Sequence, residues 1–330
     1  MIDFGYQRVR VNLIKCHGSA NDFVLIEELE RSVFSEANRI YLSKLLCARY
    51  GLFGSDGVLF VQSSNIADVK MRMFNPDGSE AQTCGNGLRC VARFASERLG
   101  KEAFTIETMK GVSRARRDPE IAPGVATYAV EIGPFSTDVR DLPLQVEPQT
   151  FLDAVIPALS PSLRFTAIAA PNPHLVAMVE HIDLAELSAL GRKAAALPDV
   201  LPEGANVSFL RVLDRQRVAV ATFERGAGLT RSCGSAMASS TLAACLLGRA
   251  DFGEWLWTYN RGGFVRTRAL REGGNYSVWL SGNATFVYSA QVEWAGERFA
   301  PAFQGCLNVP EIAAYQGVLE EGERVVDERT

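Results

Sequence analysis

The sequence predicts an α+β fold of two similar halves, in each of which a curled sheet surrounds a central helix. The first observation is an internal repeat: TCGNG and SCGSA each place a cysteine before a glycine at the start of a helix-like run. The second is that strand-like runs precede and follow both of these helices. The third is that 330 residues, 47% of them hydrophobic, are enough for one or two domains with cores.

The two halves match in length and pattern when they are read backwards from the cysteines. Asn75 and Glu224 stand at the same distance before Cys84 and Cys233. GVLFVQSSNIADVKMRMFN lies opposite NVSFLRVLDRQRVAVATFE, each a strand, a polar turn and a strand, and further upstream GSANDFVLIE lies opposite APNPHLVAMV. The matches predict an N-terminal repeat domain at 12–135, a C-terminal repeat domain at 150–290 and a C-terminal extension at 291–330.

The runs after the two cysteines differ in polarity. CGNGLRCVARFASERLG is amphipathic, whereas CGSAMASSTLAACLLGR is apolar nearly all round and therefore predicts a helix enclosed by strands. AFTIETMKG and TYAVEIG follow the first helix as strands, and GFVRTRAL and NYSVWLSG follow the second. The tail beyond Tyr288 is Gly- and Glu-rich with weak periodicity, which is typical of partial disorder or an added surface element.

Charge and cysteine usage exclude several classes of protein. The net charge is -4, the isoelectric point is about 5.6 and no basic stripe is present, which argues against a nucleic-acid partner. No apolar run is long enough to span a bilayer, and MIDFGYQRVRVNLIKC lacks the plan of a signal peptide. Seven cysteines without a CxxC pair favour reduced thiols in the cytoplasm.

A cysteine at a helix start points to acid/base chemistry. The positive end of the helix dipole lowers the pKa of a thiol, and the unsatisfied amides beside it bind a carboxylate. Two such helix starts facing each other would place one thiol on each side of a substrate α-carbon, as inversion of a Cα–H centre requires. The alternatives are a small apolar filler at each position, or a zinc site of Cys84, Cys90 and Cys233, whose C-x5-C spacing is not that of a usual zinc knuckle. A thiol pair needs no cofactor and no metal.

Six segments together resemble a known family. KCHGSANDF, FNPDGSEAQTCGNGLRC, PNPH, NVSF, FERGAGLTRSCGSA and NRGGF resemble, in order, the signature segments of the diaminopimelate epimerase family, over roughly residues 12–290. The resemblance implies two pseudo-symmetric domains, each a barrel-like sheet around a central helix. It also implies a homodimeric, cofactor-independent isomerase that interconverts L,L- and meso-diaminopimelate on the way to lysine and peptidoglycan.

The resemblance implies a role for each matching residue. Cys84 and Cys233 are the acid/base pair, His174 and Glu224 tune the thiol pKa values, and Tyr288 lies at the dimer contact. The implied substrate-binding residues are Gly85, Asn86, Gly234 and Ser235, whose amides hold the reacting carboxylate, and Asn75, Asn172, Asn206, Glu224 and Arg225 at the remote end, with Asn21 nearby.

Several positions depart from the family pattern. Ala20 replaces a usual Gly, Ser235 and Ala236 replace a usual Thr-Gly, and Pro171 stands where Gly is common. Gly57 stands where some members carry a side chain that touches substrate. Ser235 keeps an amide and a hydroxyl, so the anion site is expected to persist, whereas the methyl of Ala236 could alter the reach of the pocket.

Other functions use the same scaffold or the same chemistry. A sister racemase acting on histidine or a proline derivative would keep both cysteines but lose the remote-carboxylate set. An isomerase of the phenazine-biosynthesis type lacks the thiol pair. A non-catalytic amino-acid-binding descendant would have lost a cysteine, and a pyridoxal phosphate enzyme would need a phosphate loop tied to a lysine. The presence of Cys84, Cys233, Arg225, Asn75 and Asn206 favours the diaminopimelate epimerase.

Overall fold

A computed structural model describes residues 9–51, 53–146, 149–170, 172–295 and 299–328. The chain divides into two compact units. The first unit runs to Tyr128 and takes in Asn283–Tyr315; the second comprises Ala129–Gly282 and the residues from Gln316 on. The predicted boundaries of 12–135, 150–290 and 291–330 concern sequence repeats and do not coincide with this division.

The first unit contains nine strands and two helices among the described residues. Its strands are β1 Val9–Gly18, β2 Asn21–Glu28, β3 Gly57–Gln62, β4 Val69–Phe74, β5 Glu80–Ala81, β6 Ala103–Thr108, β7 Gly111–Arg117, β18 Thr285–Trp294 and β19 Phe299–Leu307; its helices are α1 Glu36–Cys47 and α2 Gly85–Leu99.

The second unit carries the remaining strands. They are β8 Thr127–Phe135, which begins at the end of the first unit, β9 Ala154–Val155, β10 Arg164–Ala169, β11 Pro173–Met178, β12 Asn206–Val212, β13 Arg217–Glu224, β14 Gly228–Thr230, β15 Leu256–Asn260, β16 Gly263–Glu272 and β17 Asn275–Asn283; its helices are α3 Leu184–Ala195 and α4 Gly234–Leu246, with a 3-10 turn at Val139–Asp141. A final helix, α5 Val309–Asp327, starts in the first unit and ends in the second.

The two units repeat one topology, strand for strand. β1–β2 and β10–β11 are antiparallel pairs, and β2 and β11 each pair in parallel with the next long strand, β3 or β12, after a crossover that contains a helix. β4 and β13 then pair antiparallel with that strand and carry a short strand, β5 or β14. After the cysteine helix, β6 and β15 pair in parallel with β4 and β13. The predicted α+β fold of two pseudo-symmetric halves is therefore confirmed.

The cysteine helices lie inside their sheets. In the first unit α2 packs against β1–β4, β6 and β7, and it ends at Gly100, whose φ of 66° is the left-handed conformation that closes a helix at low cost in glycine. In the second unit α4 packs against β10–β13, β15 and β16, and nearly every residue from Gly234 to Cys245 is buried. The prediction of an enclosed, apolar second helix is confirmed.

Each unit has its own core. The first is built around the edge-to-face contacts of Phe60 with Phe34 and Phe74, whose ring centroids are 6.2 and 5.6 Å apart. The second is centred on Phe165 and Phe209, both fully buried between α3 and the sheet. Burial of this kind stabilises the folded state by roughly 1.5–3 kcal/mol for each large apolar side chain.

The C-terminal tail, expected to be partly disordered or an added surface element, forms two strands and a helix in its described part. β18 pairs antiparallel with β1 along Val9–His17, and β19 pairs with β18. α5 then buries Tyr315, Val318, Val325 and Val326. Along the described chain, none of the helices combines the length and the apolar character that crossing a membrane would need.

Candidate active site

Cys84 caps the helix that the sequence predicts. It is the N-cap residue of α2 in an extended conformation, and its Sγ accepts a hydrogen bond from the Gly87 amide at 3.4 Å. The residue is partly exposed. An amide that donates to sulfur favours the thiolate over the thiol, so this helix start suits a sulfur that removes a proton.

Asn21 and Asn86 are brought together beside this helix start. The Asn86 side-chain amide donates to Asn21 Oδ1 at 3.3 Å, and Asn21 Nδ2 donates to Asp56 Oδ2 at 2.8 Å. Asp56 also accepts from Arg49 and from the Asp22 amide. The two asparagines that the family resemblance implies are therefore oriented by a carboxylate that sequence reasoning missed, although Asp56 directly precedes Gly57 at the start of β3.

Asn75 is held by its own turn. Among the described residues, the hydrogen bonds of Asn75 stay within the stretch from Asn75 to Ser79. Its backbone amide donates to the Ser79 carbonyl, its carbonyl accepts from the Gly78 amide, and Nδ2 donates to Ser79 Oγ at 3.0 Å. The turn is the one that Asn-Pro-Asp-Gly predicts. The structure alone therefore gives Asn75 a structural role and leaves its substrate role a prediction.

Cys233 caps the helix of the second unit but has a different environment. It is only 8% exposed, and its Sγ lies 3.4 Å from the Ser235 hydroxyl. Burial and then the Glu224 carboxylate raise the pKa of the Cys233 thiol well above its usual range, while the Ser235 hydroxyl acts in the opposite direction. The expectation that a helix start lowers the pKa is therefore wrong for Cys233, because desolvation and a neighbouring negative charge outweigh the helix dipole.

His174 joins the implied residues of the second unit into one cluster. Its Nε2 lies 3.0 Å from Asn172 Oδ1, 3.1 Å from Ser235 Oγ and 3.4 Å from Asn206 Nδ2. The ring is fully buried, and that burial, helped by the Arg225 cation, lowers its pKa to about 3. His174 is therefore a neutral imidazole at physiological pH.

Glu224 and Arg225 lie at the turn between β13 and β14. The Arg225 amide donates to Asn206 Oδ1 at 2.8 Å, and its guanidinium donates to the Glu203 carbonyl while remaining exposed. The Glu224 carboxylate accepts from the Thr230 hydroxyl. A partly exposed carboxylate next to an exposed guanidinium can bind an ammonium and a carboxylate group.

The remaining positions have simple structural explanations. A Cβ on Gly57 would lie 3.0 Å from the Phe74 carbonyl oxygen, so close packing of β3 on β4 accounts for the glycine. Ala236 is fully buried in the first turn of α4. Tyr288 lies on β18 between Lys15 and Leu307 and is partly buried within one chain. Pro171 lies outside the described residues.

None of the seven cysteines, all of which fall in the described ranges, forms a disulfide. In those same ranges no group of three or more His, Cys, Asp or Glu side chains is arranged to hold a metal ion.

Solved structures define the class of fold. A Bacillus anthracis phenazine biosynthesis protein of the PhzF family superimposes with a TM-score of 0.63 at 17% identity, covering 86% of this chain and 99% of its own. A hydroxyproline epimerase from Agrobacterium vitis superimposes with a TM-score of 0.58 at 15% identity, covering 88% of this chain and 92% of its own. The chain therefore has the two-domain fold that these proteins share.

Sequence comparison is more specific. The family model described as diaminopimelate epimerase matches residues 13–127 and 166–287, one segment in each repeat. Relatives named diaminopimelate epimerase include those of Clostridium acetobutylicum, 43% identical over 86% of each chain, and Enterococcus faecalis, 41% identical over 85% of this chain and 88% of its own. A Listeria innocua relative of the same name is 37% identical over 94% of this chain and 96% of its own. The chain belongs to the diaminopimelate epimerase family.

Proposed function

We propose that the protein interconverts L,L- and meso-diaminopimelate and that the thiols of Cys84 and Cys233 are its acid/base pair. The observation that carries the proposal is the position of the two cysteines, each of which caps the enclosed helix of one repeat. Membership of the family and the names of its relatives support the substrate.

The two thiols would divide the work by protonation state. Burial and Glu224 favour the neutral thiol at Cys233. Cys233 would therefore be protonated before the reaction and would donate its proton to the α-carbon. Cys84, whose sulfur accepts from the Gly87 amide, would remove the α-proton as a thiolate. In the reverse reaction the roles exchange, and the helix-start amides at Gly85 and Gly234 would stabilise charge that develops on the reacting carboxylate.

The remote end of the substrate would be bound in the second unit. Diaminopimelate carries a second ammonium and a second carboxylate, and Glu224 and Arg225 offer one partner to each. Asn206 supports this pair because its side chain fixes the Arg225 backbone. Asn172 and Asn206 would add amide groups to the same end. Asn75 and Asn21 of the first unit remain proposed substrate-binding residues.

Proton exchange in D2O tests the reaction and the mechanism together. Reduced protein without added cofactor is incubated with L,L-diaminopimelate, and NMR follows the loss of the α-proton signal and the appearance of the meso isomer. We expect exchange with epimerisation in the wild type and loss of epimerisation in Cys84→Ser and in Cys233→Ser. Cys306→Ser, which changes an exposed cysteine on β19, is the matched control and is expected to retain activity.

A second candidate is racemisation of another amino acid on the same scaffold. The fold is shared with a hydroxyproline epimerase from Agrobacterium vitis, and this likeness is the observation that favours considering it. If diaminopimelate shows no exchange, a panel containing histidine and proline derivatives in the same assay identifies the substrate. Both cysteine variants would lose that activity as well.

Assembly and location complete the proposal. We propose a cytoplasmic homodimer with Tyr288 at its contact. Sedimentation of the wild type and of Tyr288→Ala tests the dimer: a monomeric wild type, or a variant that dimerises as tightly, contradicts the assignment of Tyr288.

A further inference from the structure

We propose that Arg89 on the cysteine helix and Tyr315 on the C-terminal helix are positioning residues, which hold the Ser19–Ala20 turn, and with it Asn21, against the first turn of α2. The inference rests on the proposed function in one respect, because Asn21 matters to turnover only if it serves the substrate. It assigns a role to α5, which lies beyond the part of the chain that the family model matches.

The Ser19–Ala20 turn is strained. It connects β1 to β2, and both of its residues have left-handed backbone angles, with φ of 54° at Ser19 and 58° at Ala20. Each non-glycine residue in that region costs roughly 1–2 kcal/mol. Strain of this kind persists only where surrounding groups determine the conformation, and it is concentrated at functional sites. The turn delivers Asn21 as the first residue of β2.

Three groups hold the turn through Ser19, which is fully buried. The Ser19 amide donates to Asn283 Oδ1 at 2.7 Å. Arg89 Nη2 donates to the Ser19 hydroxyl at 2.8 Å, and that hydroxyl is also hydrogen-bonded to the phenol of Tyr315. Both polar groups of Ser19 that face the interior are thus satisfied by side chains from distant parts of the sequence.

The turn lies directly on the cysteine helix. A Cβ added at Gly18 would be 2.7 Å from the backbone carbonyl of Asn86 and 2.9 Å from Arg89 Nη2. No side chain fits at Gly18 for that reason. Movement of the turn would therefore move against the backbone of Asn86, two residues after Cys84, and would separate Asn21 from the Asn86 amide that it accepts from.

The burial of the Arg89 side chain at this position is unfavourable for the stability of the folded protein. Its side chain is fully buried, and no carboxylate of the described residues pairs with it. Nε donates to the Asn283 carbonyl at 3.1 Å, while Nη1 is buried without a hydrogen-bond partner in the described part of the chain. A buried cation without a counterion costs several kcal/mol, so its retention indicates a positioning role.

Helix α5 contacts α2 beside Ser19 through residues that are one turn apart on each helix. Arg89 and Arg93 are one turn apart on α2, and Tyr315 and Glu311 are one turn apart on α5. Arg93 forms an ion pair with Glu311 and also donates to the Ala284 carbonyl at 2.9 Å. The Tyr315 ring packs edge-on against His17, with centroids 4.7 Å apart. The phenol is therefore fixed beside Ser19 by contacts of its own ring and helix.

Relief of the strain provides the decisive test. Tyr315→Phe keeps the ring but removes the hydroxyl, and we expect kcat/KM for diaminopimelate to fall about tenfold because a buried hydrogen bond is lost from the turn. Adding Ala20→Gly should restore most of the loss, because glycine adopts the left-handed angle without assistance. Tyr259→Phe, which removes a phenol that faces α5 in the second unit, is the matched control and should leave kcat/KM unchanged.

Amide hydrogen exchange at Ser19 gives a readout that does not depend on the substrate. Exchange should be faster in Tyr315→Phe than in the wild type. If activity falls but Ala20→Gly restores none of it, Tyr315 is merely structural and the inference is overturned. Unchanged kcat/KM together with unchanged Ser19 exchange in Tyr315→Phe also overturns it. If the wild type fails to epimerise diaminopimelate, the proposed function fails, and the exchange measurement still decides whether Arg89 and Tyr315 hold the turn.

Discussion

The imidazole Nε2 of His174 lies 3.1 Å from the hydroxyl of Ser235, and that hydroxyl lies 3.4 Å from the Cys233 sulfur. His174 is neutral, because burial lowers its pKa to about 3. A hydroxyl between a neutral imidazole and a thiol can donate to either, so it can stabilise the sulfur when the proton has left.

Removal of this hydroxyl should slow the reaction without abolishing it. In Ser235→Ala, Cys233 loses the neighbour that lowers its pKa, so we expect kcat/KM to fall roughly three- to tenfold, in line with one hydrogen bond of about 0.5–1.5 kcal/mol. The loss must be equal in both directions, because the equilibrium between isomers is unchanged. Steady-state rates over a pH series measure it. Ser239→Ala serves as the control, because it removes from the same helix a buried hydroxyl that has no hydrogen-bond partner among the described residues.

The charge of Glu224 should be visible in the reactivity of Cys233. In Glu224→Gln the carboxylate that raises the thiol pKa is gone, and more thiolate should be present at a given pH. We expect iodoacetamide to alkylate Cys233 faster than in the wild type, as measured by peptide mass mapping. The midpoint of the pH dependence of the alkylation rate should lie at lower pH. Glu203→Gln neutralises an exposed carboxylate near Arg225 and should leave the rate as in the wild type. Equal rates in all three proteins would refute the influence of Glu224.

The parts of the site that the sequence predicts are those set by local structure. A cysteine followed by glycine, where a strand-like run gives way to a helix-like one, predicts an N-cap, and both Cys84 and Cys233 are N-caps. Asn21 is the first residue of β2, and Asn172 directly precedes β11, the corresponding strand of the second repeat. These features depend on residues within a few positions of one another, where periodicity and turn chemistry are informative.

The parts that sequence reasoning missed depend on contacts between distant residues. Asp56 orients Asn21 from the start of another strand, and Tyr315 reaches Ser19 from a helix in a tail with weak periodicity. The pKa of Cys233 is set by burial and Glu224, which the helix-dipole argument for an isolated helix start omits. The sequence holds one weak indication of the role of Arg89, because it is an arginine within the apolar part of a helix that packs inside a sheet.

The protonation of His174 should couple stability to pH. Its pKa is about 3 in the folded protein and about 6.5 when unfolded, so its contribution is complete above pH 6.5 and is lost as the pH falls toward 3. Near pH 5 unfolding takes up about one proton at this site, a slope of about 1.4 kcal/mol per pH unit. Denaturant unfolding between pH 4.5 and 6 should show that His174→Gln takes up about one proton fewer on unfolding than the wild type. His17, whose pKa is lowered to about 4 by burial, contributes equally to both proteins. An identical slope in the variant would show that His174 titrates normally.

Replacement of two glycines in α5 by alanine should have opposite effects on the stability of the protein. A Cβ on Gly322 would lie 2.5 Å from the Asn260 carbonyl oxygen and closer still to that of Gly263, and backbone atoms cannot rotate away. Gly322→Ala should therefore destabilise the protein by roughly 1–3 kcal/mol, the usual cost of overpacking. No atom in the described part of the chain lies within 4 Å of a Cβ on Gly317, so Gly317→Ala should instead stabilise the same helix by roughly 0.5–1 kcal/mol. Thermal and urea unfolding of the two variants measures both effects. A loss of stability in Gly317→Ala, or none in Gly322→Ala, would mean that α5 is not seated on the β15–β16 turn as described.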